Sequence, residues 1–265
     1  MLKKLTKYDF NWVNRVIVWY MLAALFFGVF ARITGKLFND AGGNASMALL
    51  VLDKIASGLL IASCAALFIN AFLRLMARFV TALYKDQSYL THTLPAKRGS
   101  VFDAKAVSGA VTLVLSLAVI ACSVLIGGGE AIFSQMKEAL SGNAFSVAVM
   151  AGLLAAETVC MLFSAYLGFV LGYRSNHTKA VYGVLFTLAV YAGVQTVILL
   201  VVFGCGFIDA DIGDFFRKAL AAADMPDVGT VVKKICTVSF ALYVAADAVL
   251  WALGRKALKK GVNVD

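Results

Sequence analysis

Arg74-Leu-Met-Ala-Arg-Phe-Val-Thr-Ala-Leu-Tyr-Lys-Asp-Gln-Ser-Tyr-Leu-Thr-His-Thr-Leu-Pro-Ala-Lys-Arg-Gly-Ser-Val-Phe-Asp-Ala-Lys105 is the longest polar interruption in this chain, set between two runs too apolar for a soluble core. It carries six basic residues against two acids. Its first half keeps helical spacing, with Leu75, Met76, Phe79, Val80, Leu83 and Tyr84 recurring on one side. That pattern predicts an amphipathic extension of the preceding helix. Pro95 ends it, because the ring removes a backbone donor and excludes the helical conformation at Leu94. Ser100 with Asp103 three residues on predicts a restart in the manner of a capping box. A helix that leaves an apolar layer, turns at a proline and re-enters presents a short platform at the surface of that layer.

The rest of the composition says what the layer is. Hydrophobic residues make up 62% of the 265 and charged residues 15%, and mean hydropathy is +0.87. Soluble domains run nearer 45–50% apolar and about 25% charged, so the chain belongs in a bilayer. Crossing a hydrocarbon core of about 30 Å takes about 20 apolar residues in a helix. Six runs meet that length, roughly 16–34, 47–73, 104–127, 145–173, 180–207 and 232–253. No internal repeat or linker divides them, and the expectation is an all-α membrane protein whose residues 1–265 form a single transmembrane domain. Residues 1–15, basic and amphipathic, read either as an N-terminal interfacial helix or as the polar flank of the first span.

A formal charge of +9 would suggest nucleic acid in a soluble protein, but its distribution answers otherwise. One set of span ends carries sixteen Lys/Arg and four Asp/Glu, the opposite set seven and eight. The positive-inside rule places the first set, and both termini, in the cytoplasm. No signal-peptide cleavage site follows the first apolar run, where Arg32-Ile-Thr-Gly-Lys36 stands instead. Two outer connections, Glu130 to Leu140 and Asp211 to Ala223, have helical apolar seams and predict short helices against the outer surface, as packing lids or as a substrate gate. Gly142 marks the end of the first.

Catalytic chemistry has few footholds. Gly127-Gly-Gly-Glu130 lacks the lysine of a phosphate loop. His92 and His177 fall in different loops with no metal-type spacing, and no nucleophile set can be drawn. The protein is therefore expected to be no enzyme, to bind no metal and to hold no cofactor of its own. Its five cysteines lie singly in or beside apolar runs; the spacing leaves a Cys205–Cys236 disulfide open. Ionisable groups inside spans are costly and usually face protein or water. Asp53, Lys54, Glu157 and Asp247 qualify, and Glu157 and Asp247 are the candidates for a translocation path, with a neutral hydrogen-bonded acid as the alternative at Glu157. Ser164, Gly168 and Gly172 repeat every four residues, which lets helix backbones approach closely. That stripe serves packing within the six-span unit or against a second copy.

Tyr89-Leu-Thr-His-Thr-Leu-Pro-Ala-Lys-Arg98, followed by Lys105 at the mouth of the next run, resembles the cytoplasmic segment between the second and third spans of type-2 ABC transporter permeases, the membrane subunits of bacterial ATP-driven exporters. Ala165-Tyr-Leu-Gly-Phe-Val-Leu-Gly172, with His177 and Lys179 in the turn after it, is similar to that family's passage from fourth to fifth span. Arg255-Lys-Ala-Leu-Lys-Lys-Gly-Val-Asn-Val-Asp265 resembles its basic helix end and tail, although Gly261 and the valines depart from the leucine-rich form. The resemblance implies a multi-pass subunit of the cytoplasmic membrane, paired with a second permease subunit, identical or not. ATP would be bound and hydrolysed by a separate ABC ATPase subunit. Tyr84, Lys85, Asp86, Tyr89, Lys97 and Arg98 would form the ATPase-coupling contact; the same loop could otherwise bind anionic lipid. A stand-alone ion-coupled carrier or channel using Glu157 and Asp247, or a non-transporting membrane scaffold, are the other functional classes left open.

Overall fold

The computed structural model describes residues 2–41, 46–84, 98–174, 178–220 and 228–259. Among them the chain forms seven α-helices and no strand: α1 Leu2–Ala41, α2 Met47–Tyr84, α3 Arg98–Gly127, α4 Gly129–Gly172, α5 Lys179–Cys205, α6 Ala210–Leu220 and α7 Val228–Lys259. All but α6 are long and apolar enough to cross a membrane. Each contains one of the six runs read from the sequence, so the chain is an all-α, multi-pass membrane protein. At a rise of 1.5 Å per residue, the 40 residues of α1 extend about 60 Å, twice a hydrocarbon core.

That excess length revises one expectation. Residues 2–15 are not a separate interfacial helix but continue into the first span without a break. Their face holding Asp9, Val13 and Asn14 is buried against other helices, and the Asn14 amide donates to Thr112 Oγ1 on α3 at 3.0 Å. The amphipathic pattern there records helix packing instead of a membrane surface. A second revision concerns Asp103. It caps nothing: α3 is already helical from Arg98, and the carboxylate pairs with Arg255 of α7 at 3.3 Å.

The helices pack as two groups, α1 with α2 and α3, and α4 with α5 and α7, which meet where α2 and α3 touch α4 and α3 touches α7. Chain direction puts Leu2, Tyr84, Arg98, Gly172, Lys179 and Lys259 at one end of the bundle. The largest fully buried side chains, among them Phe79, Phe102, Tyr166, Leu83 and Leu258, gather toward that end.

At the opposite end the turn between α3 and α4 needs glycine. Gly129 has φ +70°, a region side-chain-bearing residues rarely adopt, and a Cβ there would stand 2.5 Å from Arg32 Nη1. The Arg32 side chain instead reaches Glu130 at 3.5 Å. The first outer connection, expected as a short helix ending at Gly142, is the first part of α4, separated from its span by the non-helical backbone of Asn143 (φ −151°, ψ 52°). The second is α6. Its Phe216 packs on Phe203 of α5 with ring centroids 5.1 Å apart.

Lys234 holds α6 to α7, its ammonium 2.9 Å from Asp209 Oδ2 and 2.7 Å from Asp211 Oδ2. The Lys234 hydrogen bond, helped by the backbone N–H groups of Asp211 and Ile212, keeps the Asp209 carboxyl below the ordinary aspartate value. A depressed folded pKa means the contact is fully present above the unfolded value of about 3.9 and is lost as pH falls below it. Hydrogen exchange of the α6 amides is therefore expected to be steady from neutral pH down to about 4 and to rise below that, beyond the intrinsic acid dependence. Asp209→Asn should remove the step; an unchanged step in that variant would assign it elsewhere.

Candidate functional site

Three charged side chains from three helices meet in the buried end of the bundle. Asp9 of α1 takes Arg78 Nε of α2 on Oδ1 at 3.0 Å and Lys105 Nζ of α3 on Oδ2 at 3.3 Å. They are 4%, 7% and 4% exposed. One carboxylate of α1 thus bridges a cation of α2 and a cation of α3 in a site shielded from water. The guanidinium also lies over Trp12, 4.8 Å from the ring centroid, and over Tyr8 at 5.5 Å, where the aromatic faces offer negative potential.

Aromatic packing carries the same end across to α4. Phe79 stacks on Tyr166 with centroids 4.1 Å apart, and Phe102 meets both edge-on. One turn further, Tyr84 stacks on Tyr173 at 4.2 Å. Arg174 donates from Nη2 to the carbonyl of Ala257, and Asp103 ties α3 to Arg255. The ends of α1, α2, α3, α4 and α7 are thereby joined into one base. The last described residue of α2, Tyr84, is in contact with Tyr173 at the end of α4.

Of the residues expected to form a partner contact, Tyr84 ends α2 with its ring committed to Tyr173, which makes it an anchor for the segment after it. Arg98 opens α3. Lys85, Asp86, Tyr89 and Lys97 lie outside the described residues, as do His92 and His177.

Glu157 and Asp247 are brought to one neighbourhood. Cys160, fully buried on α4, lies within electrostatic reach of both carboxylates. Tyr243 of α7, within reach of Glu157, donates its hydroxyl to Gln195 Oε1 of α5 at 2.6 Å. Among the described residues Asp247 Oδ1 is shielded from solvent and accepts no hydrogen bond, while Glu157 is half-buried. A polar cluster spanning α4, α5 and α7 thus sits inside the apolar layer. Asp53 and Lys54 pair loosely with each other at 3.9 Å.

Ser164, Gly168 and Gly172 are all buried. Gly168 lies against Thr187 and Gly172 against Gly183, both on α5, so these two glycines face the next helix of the same chain. Cys205 and Cys236 carry free thiols.

Sequence reading missed Asp9, Arg78 and Lys105 as a unit. The available signal was that Asp9 is the only acid in the first 39 residues, while Arg78 and Lys105 stand where two apolar runs end. Nothing in spacing alone joins three separate helices.

Fold and site together define a six-span, all-helical membrane protein with one buried three-residue charge cluster, Asp9, Arg78 and Lys105, toward one end. Comparison with protein-family models finds no match, and neither curated proteins nor solved structures yield a similar chain.

Proposed function

We propose that the chain is the membrane-spanning permease subunit of an ATP-driven exporter of the type-2 ABC class, acting beside a second permease subunit above a separate ATPase. The carrying observation is the locked base: the helices that bracket 85–97 share one carboxylate, Asp9, and α4 is stacked against them. A segment seated on such a base transmits a push to several spans as a rigid body, as alternating access requires. The basic bias of this end supports a cytoplasmic position by the positive-inside rule, where an ATPase would dock, with Lys97 and Arg98 offering charge to an acidic surface on it.

Leu83 is 1% exposed, so a proline there would disturb the base itself; reversal of Lys97 and Arg98 to glutamate is the cleaner perturbation. The chain is expected to co-purify with an ATPase, and the doubly reversed variant to hold it at least tenfold more weakly, a loss of about 1.4 kcal/mol or more. Its thermal stability should stay at the wild-type level. Undiminished ATPase capture by the variant removes the coupling role, and absence of any ATPase partner removes the exporter reading.

The polar cluster supports a second reading, an ion-coupled carrier. Asp247 has a carboxyl oxygen that accepts no hydrogen bond among the described residues and lies inside the apolar layer, the position of groups that carry protons or cations in such proteins. Uptake driven by a proton gradient without ATP, and lost in Asp247→Asn, would favour it.

A further inference from the structure

The end of the bundle opposite both termini holds two adjacent lysines with different surroundings. Lys234 is held by two carboxylates, Asp209 and Asp211. Lys233 has no carboxylate partner among the described residues; its ammonium lies 5.5 Å from the centroid of Phe145.

Lys233 also stands at the meeting of two recesses. One, of about 460 Å³, lies between α4 and α7 and is walled by Val149 and Met150 on one side and Val232 and Cys236 on the other. The other, of about 630 Å³, lies between the end of α5, α6 and α7, with Ile208, Ile212 and Val238 in its wall. Both fall in the range of small-ligand sites, roughly 300–1,000 Å³.

The first recess has a physical origin. Non-helical backbone at Asn143 separates the outer arm of α4 from its span, and Asn143 and Ser146 line the opening. Deeper, α4 and α7 close together: a Cβ on Gly152 would stand 3.0 Å from Phe240 Cε2. Phe240 lies about 10 Å along α7 from Lys233. The result is an apolar groove with a floor, and with the Lys233 ammonium, which has no carboxylate partner among the described residues, at its rim.

We propose that Lys233 and the groove between α4 and α7 bind an anionic phospholipid from the leaflet at this end of the bundle. The head group sits on the ammonium and an acyl chain lies between Met150 and Val232, ending above Phe240. Charge complementarity selects the occupant: a zwitterionic head group brings its own cation, whereas an anionic one supplies the charge Lys233 lacks. Basic sites between membrane helices attract such head groups, and an aromatic ring beneath the ammonium holds it at the rim. The inference is independent of what drives transport.

Cys236 in the groove wall reports occupancy. Its reaction with N-ethylmaleimide, followed peptide by peptide with the exposed Cys122 of α3, which lines neither recess, as reference, is measured in phosphatidylcholine vesicles with and without phosphatidylglycerol. Phosphatidylglycerol is expected to slow Cys236 relative to Cys122. Lys233→Gln should raise the phosphatidylglycerol concentration needed for protection about tenfold, the loss of one charge-assisted contact, and Lys233→Arg should retain it. Equal rates in both vesicles, or protection unchanged by Lys233→Gln, would overturn the proposal. Protection by decanoate but not by phosphatidylglycerol would overturn it too, assigning the groove to a free single-chain anion.

Discussion

Asp9→Ala is expected to destabilise the protein by about 3–5 kcal/mol, the usual cost of stripping a buried charge cluster of its counter-ion. Arg78 and Lys105 would both lose the carboxylate that joins them, and like charges held in one buried site repel. The alternative, Lys105→Met, should be far milder. It keeps the Asp9–Arg78 contact at 3.0 Å and replaces a desolvated ammonium by a side chain of similar length. The two substitutions change net charge in opposite directions, so the contrast separates counter-ion loss from simple loss of contacts. Thermal unfolding in detergent, with monodispersity checked by size exclusion, measures both. An Asp9→Ala protein that melts with the wild type would mean that the cluster does not hold the base together.

Gly172→Leu is the second large effect, expected at about 3 kcal/mol or more because it forces two backbones apart. Even a Cβ at 172 would stand 2.2 Å from the Gly183 nitrogen and 2.3 Å from its Cα, and neither atom can rotate away. α4 and α5 must separate, which loses the packing that replaces hydrophobic drive between helices in lipid. It also disturbs the Tyr84–Tyr173 stack one residue on. Gly193→Ala in α5 is the control: nothing lies within 4 Å of a Cβ there, so only helix propensity changes, by up to about 1 kcal/mol in favour of alanine. If Gly172→Leu melts like Gly193→Ala, the close approach of α4 and α5 contributes nothing to stability. A change of oligomeric state with unchanged melting would instead assign the stripe to a contact between copies.

Spans were legible in the sequence for a simple reason. In lipid every backbone polar group must be satisfied within its own segment, so an apolar run of sufficient length can only be a helix, as at 104–127 and 180–207. The break near Gly142 and the short helix at 210–220 were legible too, because local backbone preference and short-range periodicity decide them. What the sequence left open were matters of depth and partnership. Residues 2–15 carry the same pattern whether their apolar face meets lipid or protein, and only packing against α2 and α3 decided for protein. Asp103 had the spacing of a cap, but a neighbouring helix offered Arg255, and a charged partner outweighs a backbone amide. The joining of Asp9, Arg78 and Lys105, 69 and 96 residues apart along the chain from Asp9, follows from no local rule. It depends on which helices lie side by side, and that is set by the summed packing of surfaces such as Phe79 on Tyr166 and Gly172 on Gly183, which only the tertiary structure fixes.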